Sequence, residues 1–285
     1  MSYLDDRADL AGRVAVIIGG GGGLGRACAV DLAGAGMRVA LCDRDASALG
    51  ETAQTIADAG GEVMARELDA RDGDAISTFF ADVDGRYGGS CDTLLNVVGG
   101  TFRQPFAESN PRGWDALMRT NFTWLLHSTQ LAVARMHPDG GSIINITSIE
   151  AHRAAPNFAV YAAMKAAVTS LSRTLAIELA PEGIRVNTIA PDYIATPALS
   201  SLNQGVSEEQ VALQHRISTP MGRVGRFEDA GGCALFLASN LSSFITGSTL
   251  HPDGGAIASA GWFNWPDEGY LNHPPPPVLE FLLDS

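Results

Sequence analysis

Short apolar runs alternate with longer amphipathic stretches through most of this 285-residue chain, and that alternation restricts its fold more than any other feature. Residues 14–18, 39–42, 63–68, 93–98, 142–147, 184–189 and 248–251 read as strands. The runs are short and largely apolar, as strands covered on both faces are. Residues 24–35, 45–59, 74–87, 111–136, 157–180 and 227–238 read as helices, most of them stopped by glycine or proline. Strands that alternate with helices imply right-handed crossovers and a parallel sheet, an α/β doubly wound fold. Neither a polar linker nor an internal repeat interrupts the pattern before about residue 260. One domain is therefore expected over residues 1–259, followed by an aromatic and proline-rich tail over 260–285.

Two segments depart from the alternation. Residues 192–219 follow a strand and lack a strong period, so they read as a long loop at the end of the sheet where such folds bind ligands. The tail carries Trp262, Phe263, Trp265 and Tyr270. Its aromatics suit a strap on the sheet edge or a cover over a pocket, in the same subunit or a neighbouring one. The proline run 274–277 reads as a stiff spacer.

The formal net charge of −13 disfavours nucleic acid and anionic membrane surfaces as partners. Cys28, Cys42, Cys91 and Cys233 stand singly, without metal-ligand spacing, so no metal is expected and free thiols in a reducing compartment are. Residues 1–9 lack the basic and apolar regions of a signal peptide, and no run of about 18 apolar residues appears. A cytoplasmic location is expected.

Residues 19–25 are glycine except for Leu24, and they lie between a strand and a helix. Glycine lets the backbone approach a pyrophosphate, and the helix N-terminus offers free N–H groups and a positive dipole end. Asp43 ends the second strand. A carboxylate there accepts from both adenosine ribose hydroxyls and repels a 2′-phosphate, which favours NAD over NADP. Arg44 beside it softens that discrimination, and a helix N-cap is the plainer reading of Asp43.

Tyr161 and Lys165 stand four apart on a helix, on one face and about 6 Å apart at Cβ. A nearby ammonium is expected to lower the tyrosine pKa and fit it for acid–base work. Ser148, just after the fifth strand, is placed to hold a substrate oxygen. Asn121 lies inside a long helix, where asparagine is mildly unfavourable, and its side chain or a local carbonyl is placed to order water near the lysine.

In this order and spacing, these residues resemble the short-chain dehydrogenase/reductase family over about residues 10–256. Asp69, Asn96 and the stretches 187–196, 220–223, 245–247 and 253–255 extend the match. The resemblance implies a Rossmann fold binding NAD(P), with Tyr161 as general acid/base, Lys165 lowering its pKa and holding the nicotinamide ribose, and Ser148 orienting substrate. Asn121 would support a proton relay. The cofactor would meet Gly19, Gly22, Gly23, Leu24, Asp43, Arg44, Asp69, Ala70, Asn96, Val98, Gly99, Pro191, Ile194 and Thr196. The resemblance also implies a homotetramer, or a homodimer.

Five positions depart from the family pattern. Ile18 replaces a threonine, Gly22 a serine, Val97 and Val98 stand in an Asn-Asn-Ala-Gly motif, and Asp192 replaces the glycine after Pro191. Apolar packing near 18 and 97 is expected to replace a polar link. Substrate contacts are expected from Gly100, Phe102 and Arg103, from Glu150, His152, Arg153 and Phe158, and from Tyr193, Leu199 and Leu202. The aromatics suit a bulky apolar ring. His152 and Arg153 read either as carboxylate partners or, more plainly, as solvated charges. The expected activity is an NAD-dependent oxidoreductase that interconverts a small-molecule secondary alcohol and its ketone. The alternatives are an NADP-dependent ketone or 3-oxoacyl reductase, a lyase, dehydratase or epimerase with the same pair, and a non-catalytic NAD-binding protein.

Overall fold

β1 (Val14–Ile18) lies in the interior of a parallel seven-stranded sheet, and every one of its residues is buried. This computed structural model describes residues 3–136, 140–194 and 206–283. The other strands are β2 (Arg38–Asp43), β3 (Val63–Glu67), β4 (Thr93–Asn96), β5 (Gly141–Ile146), β6 (Ile184–Ile189) and β7 (Thr249–Leu250), in the order β3-β2-β1-β4-β5-β6-β7.

The apolar character of β1 on both sides follows from its two partners. Val14, Val16 and Ile18 pack with Phe79, Phe80, Leu94 and Val168 in one core, while Ala15 and Ile17 pack with Leu32, Leu41, Leu95 and Leu237 in the other. Alternate side chains of a strand point to opposite faces, so two helical layers demand apolar residues at every position. The chain reverses direction across the sheet between β1 and β4, and the crevice for a ligand opens there, at the strand C-termini.

After α1 (Tyr3–Ala8), the helices that frame this crevice are α2 (Gly23–Gly34), α3 (Ala46–Asp58) and α4 (Gly73–Tyr87). α3 starts where the Asp45 carboxylate accepts from the N–H groups of Ser47 and Ala48. Asp45→Ala is expected to lower stability by about 1 kcal/mol, read as a small fall in Tm with unchanged secondary structure.

Three sequence expectations change. The helix expected over 111–136 is broken into α5 (Pro111–Met118), a π-helical turn (Arg119–Thr123) and α6 (Trp124–Val133). The wider turn shifts the backbone hydrogen-bond register, and side chains serve carbonyls there: Asn121 Nδ2 donates to Leu117 O at 3.0 Å and Trp124 Nε1 to Thr120 O at 2.9 Å. Within the supposed loop 192–219, residues Glu208–Ser218 form a helix, opened by a reciprocal capping box between Ser207 and Gln210. The proline run is not a spacer. Phe263–Trp265 and Gly269–Leu271 form an antiparallel hairpin, and Pro276 and Pro277 begin the helix Pro276–Leu283. Proline suits a first helical turn because its missing N–H would have no partner there. Among the described residues, no helix is long and apolar enough to cross a membrane.

Candidate active site

The glycine loop hangs from the end of β2. Gly19 and Gly20 N–H groups both donate to Cys42 O, and Gly21 N donates to Asp43 Oδ2 at 3.0 Å. A Cβ on Gly25 would strike the carbonyl oxygen of Gly19, so the loop folds against its own helix only with glycine there. Gly22 is the N-cap of α2 and supplies no side-chain acceptor. The first N–H groups of α2 are thus left for an anion. In front of the loop, a cleft of 420 Å³ is lined by Gly19, Gly22, Asp43, Arg44, Asp69, Ala70, Val98, Gly99 and Gly100, among others. This cradle fits a dinucleotide, with pyrophosphate at the loop, ribose at Asp43 and adenine near Asp69. Asp69 is ion-paired to Arg71 at 2.5 Å, which holds its carboxyl down at about 2. Leu24, half-buried in the first turn of α2, packs against the core.

The departures at 18 and 97 are reconciled by backbone. Ile18 O accepts from both Val97 N and Val98 N, while Ile18 and Val98 pack in one core and Val97 in the other. The link between β1 and the β4 loop therefore needs no side-chain hydroxyl. The Asn96 side chain serves the interior of the sheet. Its amide group donates to Asn145 Oδ1 and Thr129 Oγ1 and its oxygen accepts from Ser128, in a network that is buried and reaches Ser172. That side chain ties β4 to β5 and α6.

The β4 loop then runs over the reactive residues. Gly99 passes so close that an added Cβ would stand 3.0 Å from Lys165 Nζ and 3.1 Å from Asn121 Oδ1. Asn121, 1% exposed in the π turn, clamps Gly100 from both sides: its Nδ2 donates to Gly100 O at 2.8 Å and its Oδ1 accepts from Gly100 N at 3.1 Å. π turns occur often at functional sites, and this one sets the loop above Lys165.

α7 (Ala159–Glu178) carries Tyr161 and Lys165 in its first turns. Lys165 is 3% exposed, donates from Nζ to Ile146 O at 3.0 Å, and stands 5.8 Å from the centre of the Tyr161 ring. Burial pulls its ammonium down to about 8. The turn Ile149–Ala151 packs on α7, which sets the Ser148 hydroxyl near that of Tyr161. The sequence expectation for Tyr161 is corrected in direction: burial holds its pKa above the ordinary value, the Ser148 hydrogen bond lowers it, and the charge of Glu150 raises it again. Lys165 is engaged with a carbonyl and is itself desolvated, and burial sets the net direction for Tyr161.

The substrate-side residues divide into two groups. Phe102 and Phe158 share an aromatic pocket with Phe106, Trp114 and Leu117, and Gln104 N donates to Asn157 O to join its two loops. Opposite, Arg153 binds Glu150 Oε1 at 3.0 Å and Asp192 Oδ1 at 3.4 Å. Ile149 N donates to Pro191 O, which keeps these two loops together. His152 lies edge-on to His251 at 4.9 Å, and burial followed by the charges of His251 and Arg173 lowers its pKa. Tyr193 stacks on His215 at 4.7 Å, and the buried Ile194 bridges to Gly225. Thr196, Leu199 and Leu202 lie outside the described residues. Sequence reasoning missed His251 and His215; neither carries a local motif, and only the fold brings them to the site.

A family model described as Enoyl-(Acyl carrier protein) reductase matches residues 19–256. Gluconate 5-dehydrogenase of Gluconobacter oxydans (strain 621H) is 35% identical over 256 residues, covering 89% of this chain and 98% of that protein. The chain belongs to the short-chain dehydrogenase/reductase family. Among solved structures, a 7α-hydroxysteroid dehydrogenase complexed with NADH and 7-oxo glycochenodeoxycholic acid superposes with a TM-score of 0.82 at 33% identity, over 90% of this chain and 98% of that one. A gluconate 5-dehydrogenase from Burkholderia cenocepacia J2315, in complex with NADP and tartrate, gives 0.80 at 33% identity, over 90% and 99%. This short-chain dehydrogenase/reductase is an oxidoreductase acting on CH–OH donors with a nicotinamide dinucleotide.

Proposed function

We propose that this enzyme interconverts a secondary alcohol and its ketone with NAD as the preferred cofactor, on a substrate carrying a bulky or cyclic apolar part. The observation that carries the reading is the arrangement of Ser148, Tyr161 and Lys165 beside the dinucleotide cleft, with Lys165 Nζ 5.8 Å from the Tyr161 ring and the Ser148 hydroxyl near that of Tyr161. Ser148 positions the substrate hydroxyl and Tyr161 takes its proton. Lys165 stabilises the phenolate and holds the cofactor ribose. The bound nicotinamide supplies the hydride acceptor. Asn121 holds the Gly100 loop over this pair and so keeps the site closed from the β4 side. Phe102, Trp114 and Phe158 enclose only about 20 Å³, so an apolar part of the substrate would lie against this aromatic wall and not inside it. Assembly as a homotetramer and a cytoplasmic location belong to the same reading.

NAD preference rests on Asp43. Each of its oxygens accepts one backbone N–H, from Gly21 and from Asp45, and each retains a lone pair for a ribose hydroxyl. A 2′-phosphate would face that carboxylate, although Arg44 lines the same cleft. Asp43→Ala is expected to lower kcat/KM for NAD⁺ by about 10- to 150-fold, as loss of hydrogen bonds to a charged acceptor does, and to narrow the preference over NADP⁺. The test is turnover of cyclic, aromatic, steroid and sugar alcohols with each cofactor, followed by the absorbance of the reduced nicotinamide. Equal or better turnover with NADP⁺ would overturn the preference. Absence of alcohol oxidation and of ketone reduction, with cofactor bound, would overturn the reaction.

A further inference from the structure

The cations beside the reacting centre are already engaged. Arg153 is the cation of the Ser148 loop, and its guanidinium is shared between Glu150 at 3.0 Å and Asp192 at 3.4 Å. Asp192 stands directly after Pro191, whose carbonyl is bonded to Ile149, the neighbour of Ser148. Glu150 N donates to Ser148 Oγ, so one carboxylate of the pair belongs to the residue that grips the reactive hydroxyl. Asp253 adds a third carboxyl on the same side, 7% exposed and bonded to the N–H groups of Gly255 and Ile257. His152 contributes no positive charge at neutral pH, because burial and its cationic neighbours favour the neutral ring. Arg223, further along that side, is paired with Asp229. Arg103 sits between Phe102 and Gln104 in the opposite loop; those two line the aromatic pocket and it does not. The segment 195–205 contains no charged residue in its sequence.

We propose that Glu150 and Asp192, bridged by Arg153, set substrate charge: this site takes alcohols that are neutral or cationic within a few bonds of the reacting carbon, and rejects those with a carboxylate there. The proposal rests on the alcohol dehydrogenase reading above and names its substrate class. Glu150, Asp192 and Asp253 stand against Arg153 and the exposed Arg173; burial pushes the Asp192 carboxyl up while Arg153 draws it back down, and the balance leaves the rim net negative. An incoming carboxylate meets like charge in a partly desolvated site, and discrimination arises from that repulsion. On this proposal Arg153 holds the two carboxylates together and is not the receptor for a substrate carboxylate that sequence alone leaves open. It also separates this chain from relatives whose names specify gluconate.

The test compares kcat/KM for 3-methylcyclohexanol, 3-aminocyclohexanol and 3-hydroxycyclohexanecarboxylate, together with carboxylate and neutral sugar alcohols, at pH 7 and low salt. The carboxylates are expected to be at least about tenfold poorer than their neutral counterparts, and the ammonium compound equal or better. In Glu150→Gln/Asp192→Asn the ratio of carboxylate to neutral turnover should rise. In Arg153→Gln it should fall further. Turnover confined to carboxylates, or a carboxylate preference that Arg153→Gln abolishes, would overturn the charge rule and leave the dehydrogenase reading intact. Lack of turnover for every alcohol and ketone, with cofactor binding retained, would remove both.

Discussion

Tyr161→Phe is expected to lower kcat by about 10²–10⁴, the range that a positioned acid–base group supplies, while the dissociation constant for the cofactor stays near wild type. The ring has room to remain where it is, half-buried near the N-terminus of α7, and only the hydroxyl that meets Ser148 is lost. The cofactor cradle is built from the β1–α2 loop, Asp43 and the β4 loop, none of which depends on that hydroxyl. Single-turnover kinetics with NAD⁺ and a turned-over alcohol, alongside fluorescence titration of NADH, separate the two effects. A variant that retains more than about a tenth of wild-type kcat would remove Tyr161 from the acid–base role.

Lys165→Met is expected to change both the rate and its pH dependence. An ammonium 5.8 Å from the ring stabilises a phenolate by about 3 kcal/mol at an effective dielectric of ~20, a factor of about one hundred in rate at pH 8. The pH effect follows from which group releases the first proton. Burial lowers Lys165 to about 8 and raises Tyr161 above its ordinary value of about 10. Alcohol oxidation needs the Tyr161–Lys165 pair with one proton fewer than its full complement. The pair releases that proton as pH rises through about 8, so oxidation in wild type should climb through the same range. Without Lys165, Tyr161 alone must ionise, and the rise should move to above pH 10. Methionine matches the length of the lysine stem and leaves the Ile146 carbonyl without its donor, so circular dichroism and Tm are read beside the kinetics. An unchanged pH profile would show that Lys165 does not set the ionisation of Tyr161.

These two residues also show how much was legible before the fold was known. Tyr161 and Lys165 are four apart on one helix, and the glycine loop lies between adjacent elements; both are local patterns, read from spacing alone. Strand and helix positions were readable for the same reason, since two-sided burial writes itself as short apolar runs. The helix Glu208–Ser218 had a local signal too, a serine followed three residues later by glutamine, which its weak apolar period obscured.

By itself, then, the sequence of this protein determined the layered α/β fold, the alternation of its strands and helices, the dinucleotide loop and the reactive pair. Tertiary structure decided what these groups experience. The π turn, invisible in a continuous helical pattern, gave Asn121 its clamp on Gly100. The pairing of β4 with β5 turned the Asn96 side chain into a buried strut. The closeness of the β5 and β6 loops gave Arg153 two carboxylates instead of one, and burial reversed the expected direction for Tyr161. Periodicity records which residues face the core. Charge balance and desolvation depend on which distant segments meet, and that is set only when the chain has folded.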